Sequence, residues 1–206
     1  MTMLNFMKTA LPEVLDAFAS SEPVPGGGSA SALTGALGVS LLLMVAGMEK
    51  TRSNAPQDVA DLAAATARLR PIREELMAII EEDSRAYVDV LIALKLPRST
   101  DGETTTRRAA VAHAMRVATE VPLRTMRLCA EALREAPIVA KLGNPNAATD
   151  AAVGATLLFA ALESAGLNVS VNLPGVTDAE FARLAGEERQ SLLAGARASV
   201  NLVEHP

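Results

Sequence analysis

No charged residue occurs between Glu22 and Glu49, and this uncharged run constrains the fold more than any other feature. It begins with Pro23-Val24-Pro25-Gly26-Gly27-Gly28-Ser29 and continues through small and apolar residues to Met48. Consecutive glycines permit positive φ and leave backbone N–H groups accessible. We expect a loop that leads into a buried helix, whose N-terminus can hold an anionic or polar group. A helix cap without any ligand would explain the same residues.

Three other interpretations of this segment can be compared with it. A phosphate-binding loop needs a Lys-Ser or Lys-Thr pair after its last glycine, whereas Ser29 and Ala30 follow here. A dinucleotide fingerprint needs a third glycine where Ser31 stands. A transmembrane span fits the length, but the segment is only mildly hydrophobic and has no basic anchor or aromatic belt. The sequence therefore favours a buried helix and predicts no membrane attachment.

The composition predicts one all-α domain over residues 1–206, a bundle of about six helices. Half of the residues are hydrophobic but only 2% are aromatic, so the core must be built from aliphatic side chains, as in closely packed helices. The net charge of -5 argues against a nucleic-acid partner. Cys129 is the single cysteine, and the first residues lack a signal-peptide pattern, so we expect a cytoplasmic protein.

Apolar periodicity and turn signals locate the helices. We expect kinks at Pro71 and Pro122, and a helix cap from Asp101 or Thr104. The alternating segment 168–173 resembles a strand, but it has no partner strand and is interpreted as the end of a helix. The predicted helices cover residues 4–20, 29–49, 57–94, 103–136, 147–172 and 178–202.

Two aspartates interrupt apolar helix faces. Asp83 lies on the face defined by Leu69, Ile72, Leu76, Ile79, Ile80, Val90 and Leu94. A buried carboxylate is costly unless it is paired, so Asp83 needs a partner, an ordered water or a function. Asp150 shares a face with Val153 and Leu157, but it also lies in a first helical turn, where the helix dipole favours a carboxylate.

Other polar residues give weaker signals. Asn168 and Asn172 lie on one helix face, where they could orient either a ligand or another helix. His113 and His205 are the only histidines, so no zinc set is recognisable and we expect no metal. A serine nucleophile lacks both an elbow motif and a suitable histidine.

Together these motifs resemble the formiminotransferase-cyclodeaminase family, in its cyclodeaminase/cyclohydrolase domain, over nearly the whole chain. The resemblance implies an all-helical, dimeric, cytoplasmic enzyme that acts on one-carbon tetrahydrofolates, without a tightly bound cofactor. It departs from the family at Glu49-Lys50-Thr51-Arg52-Ser53, which carries less positive charge, at Tyr87 and at Arg98. The motifs that carry it are Pro23-Val24-Pro25-Gly26-Gly27-Gly28-Ser29, Asp83-Ser84-Arg85-Ala86-Tyr87, Leu96-Pro97-Arg98, Val121-Pro122-Leu123, Gly143-Asn144-Pro145-Asn146, Thr149-Asp150-Ala151 and Asn168-Val169-Ser170-Val171-Asn172.

The resemblance implies hydrolysis of 5,10-methenyltetrahydrofolate to 10-formyltetrahydrofolate, with formiminotetrahydrofolate cyclodeamination as the alternative. A helical protein that binds folate or a partner without catalysis is a third possibility. We expect Asp83 to act as the base and cation stabiliser, and Asp150 to assist it. The expected substrate-binding residues are Pro25, Gly26, Gly27, Gly28, Ser29, Tyr87, Lys141 and Asn144.

Overall fold

The structure is a computed structural model that describes residues 6 and 8–204, and within that part of the chain it contains helices and no strand. The predicted all-α fold is therefore confirmed. Short 3₁₀ turns at Pro145–Ala147 and Leu173–Gly175 flank the fifth helix. The helices are α1 (Leu11–Ala19), α2 (Gly27–Ala46), α3 (Pro56–Leu94), α4 (Asp101–Leu142), α5 (Ala148–Asn172) and α6 (Ala179–Glu204).

The largest differences from the predicted boundaries occur at prolines. The first helix begins at Leu11 and not at residue 4, because Pro12 occupies its first turn, where a missing N–H costs nothing. The part of that prediction on residues 1–5 and 7 lies outside the described residues. The fourth helix was expected to end at Ala136, but it continues through Pro137 to Leu142. Its neighbours Ala136 and Val139 are fully buried, and this packing offsets the lost hydrogen bond.

The start of α4 is fixed by a capping box. Thr100 accepts a hydrogen bond from the Glu103 N–H, and the Glu103 carboxylate accepts one from the Thr100 N–H. The cap is therefore Thr100, and the expectation of Asp101 or Thr104 was wrong by one residue or more. The expected kink positions Pro71 and Pro122 both lie within continuous helix.

The uncharged segment forms α2, which contacts α3, α4 and α5. Val39 and Leu42 are fully buried in the core. Gly38 and Gly154 let α2 and α5 meet backbone to backbone: a Cβ on Gly38 would lie 2.8 Å from the Gly154 carbonyl oxygen. The small residues noted in the sequence therefore serve close packing of two helices.

Two helical segments, Gly27–Ala46 and Pro145–Gly175, are long and apolar enough to cross a membrane by length and composition alone. In the bundle, 50% and 44% of their most apolar stretches are buried. The outward sides of the same helices expose large apolar side chains, among them Leu37 and Met44 on α2 and Val153 and Leu167 on α5. We call these four residues the α2/α5 apolar face.

Candidate functional site

A cleft of about 340 Å³ lies where the N-terminus of α2 meets α3, α4 and the last turns of α5. Its floor is formed by glycine backbone and its walls by one carboxyl group, two amides and aliphatic side chains. The described residues that line it are Pro23, Val24, Gly26, Gly27, Gly28, Asp83, Ala86, Tyr87, Val90, Met115, Ala118, Asn168, Val171 and Asn172.

Asp83 projects into this cleft from the buried face of α3. Its neighbours Ile79 and Ile80 are 0% and 3% exposed, so the apolar stripe inferred from the sequence is a buried stripe. Asp83 Oδ2 lies 3.0 Å from the hydroxyl oxygen of Ser29, and the Ser29 backbone N–H also donates to the carboxyl group. Gly26, at the N-cap of α2, has no side chain to cap that helix. Asp83 therefore performs the capping role from a different helix.

The Ser29 hydroxyl has three oxygen neighbours but only one proton to donate. These neighbours are the Ile80 carbonyl at 2.9 Å, Asp83 Oδ2 at 3.0 Å and Ser84 Oγ at 3.1 Å. When Asp83 is ionised, Ser29 can donate to its carboxylate. When Asp83 is protonated, the carboxylic acid can donate to Ser29, which then turns its proton to the Ile80 carbonyl. The same set of contacts can thus accommodate both protonation states of Asp83.

Burial governs the electrostatics of this carboxyl group. Removal from water raises the pKa of Asp83 above its ordinary value, and the side-chain and backbone hydrogen bonds from Ser29 oppose that rise only in part. A higher pKa brings the carboxylate closer to the basicity that proton transfer near neutral pH requires.

Gly28 is the glycine whose missing side chain shapes the site. A Cβ at this position would lie 2.5 Å from Asp83 Cγ, 2.7 Å from Oδ2 and still closer to Oδ1. Among the described residues no glycine has a positive φ. Gly26, Gly27 and Gly28 therefore do not adopt the backbone conformation that consecutive glycines were expected to permit. Close approach of α3 to the α2 backbone explains Gly28.

Two amides of α5 complete the polar lining, and each donates one N–H group to a backbone carbonyl. Asn172 Nδ2 donates to the Ala118 carbonyl of α4 at 2.7 Å, and Asn168 Nδ2 donates to the Ser164 carbonyl at 3.0 Å. Their Oδ1 atoms have no protein partner among the described residues. None of the described residues that line the cleft is a lysine, arginine or histidine. The side chains that line the cleft therefore include unpaired hydrogen-bond acceptors and a carboxyl group, and no cationic group among the described residues.

The structure brings together one group of the predicted site residues. Asp83, Gly26, Gly27, Gly28 and Tyr87 line the cleft, and Tyr87 lies at its rim with 44% of its surface exposed. Ser29 lies directly beneath the cleft through its contact with Asp83. Pro25 stands between the lining residues Val24 and Gly26 without lining the cleft itself.

The remaining predicted residues lie at the other end of the bundle. Asp150 is in the first turn of α5, about 27 Å along the helix axis from Asn168. Asn144 Oδ1 accepts from the Asn146 N–H and starts the turn before α5. Lys141 lines a separate shallow groove beside Arg68. Within one chain these three residues do not reach the cleft around Asp83, and their roles remain predictions.

Sequence reasoning missed the contribution of α4. Met115 and Ala118 line the cleft, and the Ala118 carbonyl fixes Asn172. Neither residue interrupts a pattern, so no local signal identifies them. Val90 also lines the cleft, but the sequence pattern assigned it only to an apolar stripe. Its position two turns after Asp83, on the same face of α3, could have indicated that it lies near the site.

Metal binding finds no support in the part of the chain that the structure describes. Within it, no group of three or more His, Cys, Asp or Glu side chains could hold a metal ion. Cys129 is fully buried, and burial raises the pKa of its thiol to about 12. The thiol packs against Gly35 of α2, as expected of a core cysteine.

The fold and the cleft define a class: a helical bundle with a ligand-sized cleft around the partly buried carboxyl group of Asp83. The family model described as Formiminotransferase-cyclodeaminase matches residues 10–191, and the chain belongs to that family. The resemblance identified from the motifs is thereby confirmed.

Individual relatives cover different shares of the chain. A methenyltetrahydrofolate cyclohydrolase of Methylorubrum extorquens is 40% identical over 89% of this chain and 88% of its own length. A formimidoyltransferase-cyclodeaminase of Gallus gallus is 33% identical over 76% of this chain, which matches only 29% of that longer protein. The crystal structure of a formiminotetrahydrofolate cyclodeaminase from Thermotoga maritima superposes with a TM-score of 0.85, at 25% identity, over 96% of this chain and 95% of that one.

Proposed function

We propose that this protein is an enzyme that hydrolyses 5,10-methenyltetrahydrofolate to 10-formyltetrahydrofolate. The observation that carries the proposal is a cleft whose described lining contains one carboxyl group, that of the partly buried Asp83, and no basic side chain. The relative named methenyltetrahydrofolate cyclohydrolase supports the choice, because it aligns with this chain over most of both lengths.

The charge of the substrate matches the charge of the cleft. The methenyl bridge between N5 and N10 is a delocalised cation, and its carbon is the atom that water attacks. A carboxylate in a poorly solvated cleft attracts such a cation more strongly than it would in water. Lysine or arginine in the same lining would repel it.

In the first step Asp83 acts as a general base. A water oxygen bonds to the methenyl carbon while one of its protons passes to the Asp83 carboxylate. The positive charge of the bridge is neutralised at the same time, so the substrate and the base lose their charges together. The Ser29 hydroxyl can then turn from Asp83 to the Ile80 carbonyl, which leaves the new carboxylic acid hydrogen-bonded.

The second step opens the five-membered ring. The bond between N5 and the former methenyl carbon breaks, N5 takes a proton, and the hydroxyl proton is lost to give the N10-formyl group. Asp83 is the proton donor to N5 in this proposal, and one proton is released to solvent in the complete reaction. A positioned acid or base of this kind typically contributes about 10²–10⁴-fold to the rate.

The rest of the cleft supplies binding. The N–H groups in the first turn of α2 lack intrahelical partners and face the ligand across Gly27 and Gly28. The Tyr87 ring, at the rim, can pack on the aromatic ring of the folate, and Val90 and Met115 provide apolar contact.

We place the reaction in the cytoplasm, since no residue of this mechanism requires an oxidising compartment.

We further propose that the enzyme is a homodimer joined through the α2/α5 apolar face. Leu37, Met44, Val153 and Leu167 are 42% to 70% exposed on two adjacent helices, and α2 itself has no charged residue. Large apolar side chains exposed together on packed helices are typical of interaction sites. A Leu37→Glu, Leu167→Glu double variant should sediment as a monomer where the natural chain sediments as a dimer. A natural chain that is monomeric at micromolar concentration would refute this assignment.

The function is tested by the near-ultraviolet absorbance of 5,10-methenyltetrahydrofolate, with spontaneous hydrolysis subtracted. The natural chain should accelerate loss of the methenyl band, and Asp83→Asn should remove most of that acceleration while keeping the helical circular dichroism. Asp89→Asn is the matched control, because Asp89 is an exposed carboxylate on the same helix and does not line the cleft. Near-normal turnover by Asp83→Asn would contradict the base assignment.

Formiminotetrahydrofolate cyclodeamination is the second candidate, favoured by the close structural match to the Thermotoga maritima protein. This reaction forms the same methenyl cation, with release of ammonia, so one carboxyl group could serve both reactions. Growth of the methenyl band from formiminotetrahydrofolate, with stoichiometric ammonia, would establish it. If the purified protein catalyses neither reaction, the enzyme proposal is refuted and a folate- or partner-binding role is left.

A further inference from the structure

The polarity of the two α5 amides carries an inference about what the cleft recognises. An asparagine side chain can present either its donor or its acceptor end, and here a backbone carbonyl accepts one of the two N–H groups of each residue, which fixes how the amide is turned. The donor bonds are Asn172 Nδ2 to the Ala118 carbonyl and Asn168 Nδ2 to the Ser164 carbonyl. Both residues line the cleft, and their Oδ1 atoms have no protein partner among the described residues, so two acceptors are available to a ligand beside the second N–H of each amide.

The Asn172 amide is held more firmly than the Asn168 amide. Its donor bond runs at 2.7 Å from α5 to α4, so rotation of the amide would break a contact between two helices and leave the Ala118 carbonyl unpaired. The Asn168 bond stays within α5, and the amide lies in ordinary contact with Gly27, whose Cβ would be 3.6 Å from Nδ2. The cleft therefore contains one acceptor fixed across helices and a second acceptor one turn before it.

The spacing of the two side chains that carry these acceptors is compatible with one kind of donor. Side chains at positions i and i+4 of a helix have Cβ atoms about 5–6 Å apart. An exocyclic amino group directs its two N–H bonds about 120° apart, so two acceptors at about 2.9 Å from the nitrogen are themselves about 5 Å apart. A ring N–H can serve only one acceptor.

We propose that Asn172 and Asn168 bind the exocyclic 2-amino group of the pterin ring through their Oδ1 atoms. This inference rests on the proposed function, since it names part of the proposed substrate. It makes the two asparagines specificity-determining residues, and it orients the pterin with its amino group toward α5 and its methenyl bridge toward Asp83. The ring then lies over the Gly27 and Gly28 backbone.

The test compares two substrates with four proteins. The substrates are 5,10-methenyltetrahydrofolate and its 2-desamino-2-methyl counterpart, which replaces the amino group by a methyl group of similar size. The proteins are the natural chain, Asn172→Leu, Asn168→Leu and the control Ser170→Ala, whose exposed hydroxyl bonds only within α5 and does not line the cleft. The quantity measured is the ratio of kcat/KM for the amino substrate to kcat/KM for the methyl substrate.

The natural chain and Ser170→Ala should prefer the amino substrate about 10- to 100-fold, which corresponds to the loss of two hydrogen bonds. Each Asn→Leu variant should lose activity on the amino substrate. Its ratio of kcat/KM for the amino substrate to kcat/KM for the methyl substrate should therefore fall toward one. A variant that loses activity equally on both substrates, with an unchanged preference, would show that the amide is structural and would overturn the inference. If Asn172→Leu does not fold, Asn168→Leu decides, because its amide makes no bond to another helix.

The same experiment distinguishes a wrong pterin orientation from a wrong proposed function. A natural chain that hydrolyses the methenyl substrate but does not discriminate between the two compounds overturns the pterin orientation alone. A natural chain inactive on both substrates overturns the function and the orientation together.

Discussion

Replacement of Gly28 by alanine should disable Asp83 without removing any functional group. The new Cβ would lie 2.5 Å from Asp83 Cγ and 2.7 Å from Oδ2, well inside the contact distance of two heavy atoms. Gly28 belongs to the first turn of α2, and its backbone cannot retreat because the next residue, Ser29, is fully buried. The carboxyl group must therefore rotate away from Ser29.

The expected effect on stability is small, and the expected effect on rate is large. Alanine is favoured over glycine in a helix by about 1 kcal/mol. The lost hydrogen bonds between Ser29 and the carboxylate are worth about 1.5–3 kcal/mol. The net destabilisation is thus at most about 2 kcal/mol, or roughly 4–8 °C in Tm for a domain of this size. Displacement of the base should lower kcat by about 10²–10⁴-fold.

The assay pairs methenyl hydrolysis with thermal unfolding followed by circular dichroism. Gly27→Ala is the graded comparison, because its Cβ would meet the Asn168 amide at an ordinary 3.6 Å, and its loss of kcat should be smaller. Gly195→Ala in α6 meets nothing within 4 Å and should leave kcat unchanged. A Gly28→Ala protein with normal kcat and an unchanged Tm would refute the claim that Asp83 must stay beside the α2 backbone.

Three further predictions concern protonation and packing. Burial raises the pKa of Asp83 in the folded state, so the folded chain binds more protons than the unfolded chain. Proton binding by Asp83 therefore stabilises the folded chain at acid pH, and this stabilisation is lost as pH rises through the folded-state pKa. The Tm of Asp83→Asn relative to the natural chain should therefore increase from acid to neutral pH, and a constant difference would contradict the raised pKa. Gly38→Ala would place Cβ 2.8 Å from the Gly154 carbonyl and should lower the free energy of unfolding by about 1–3 kcal/mol in urea titrations, whereas Gly102→Ala, which meets nothing within 4 Å, should not. The Cys129 thiol, whose pKa burial raises to about 12, should react with a thiol reagent only as fast as the protein unfolds, and rapid reaction in native buffer would show that the α2–α4 contact opens.

Periodicity alone was sufficient to predict the helical fold and the position of Asp83 on a buried face. The stripe from Leu69 to Val90 is long and regular, so a polar residue within it stands out. Leu94 was assigned to the same face but is 46% exposed, because it is the last residue of α3 and extends past the core. Local patterns report burial well in the middle of a long helix and poorly at its end.

Helix boundaries were harder to predict where tertiary packing overrides a local rule. Pro137 predicts the end of a helix when only its neighbours in sequence are considered. In the fold, Ala136 and Val139 are both 0% exposed, so the last turn of α4 is held by contacts with distant residues. The cap at Thr100 was missed by one residue, although the Thr100 and Glu103 pair is a recognisable capping box.

Asp150 illustrates what periodicity cannot provide. Asn168 follows Asp150 by five helical turns and so lies on the same face, but a face extends the whole length of a helix. Asp150 begins α5 and Asn168 lies near its end, so only the residue near the end reaches the cleft around Asp83. The position along the bundle depends on how α5 is aligned against α2. That alignment is set by the contact between Gly38 and Gly154, which no local pattern encodes.

The α5 amides show why a binding residue and a packing residue cannot always be separated. The sequence left open whether Asn168 and Asn172 orient a ligand or another helix. Asn172 satisfies both descriptions: its Nδ2 bonds to α4, and its Oδ1 remains available in the cleft. The packing contact determines which end of the amide faces the ligand. A leucine here would also leave the Ala118 carbonyl without its donor, so loss of activity alone cannot identify a binding role, whereas a change in substrate preference can.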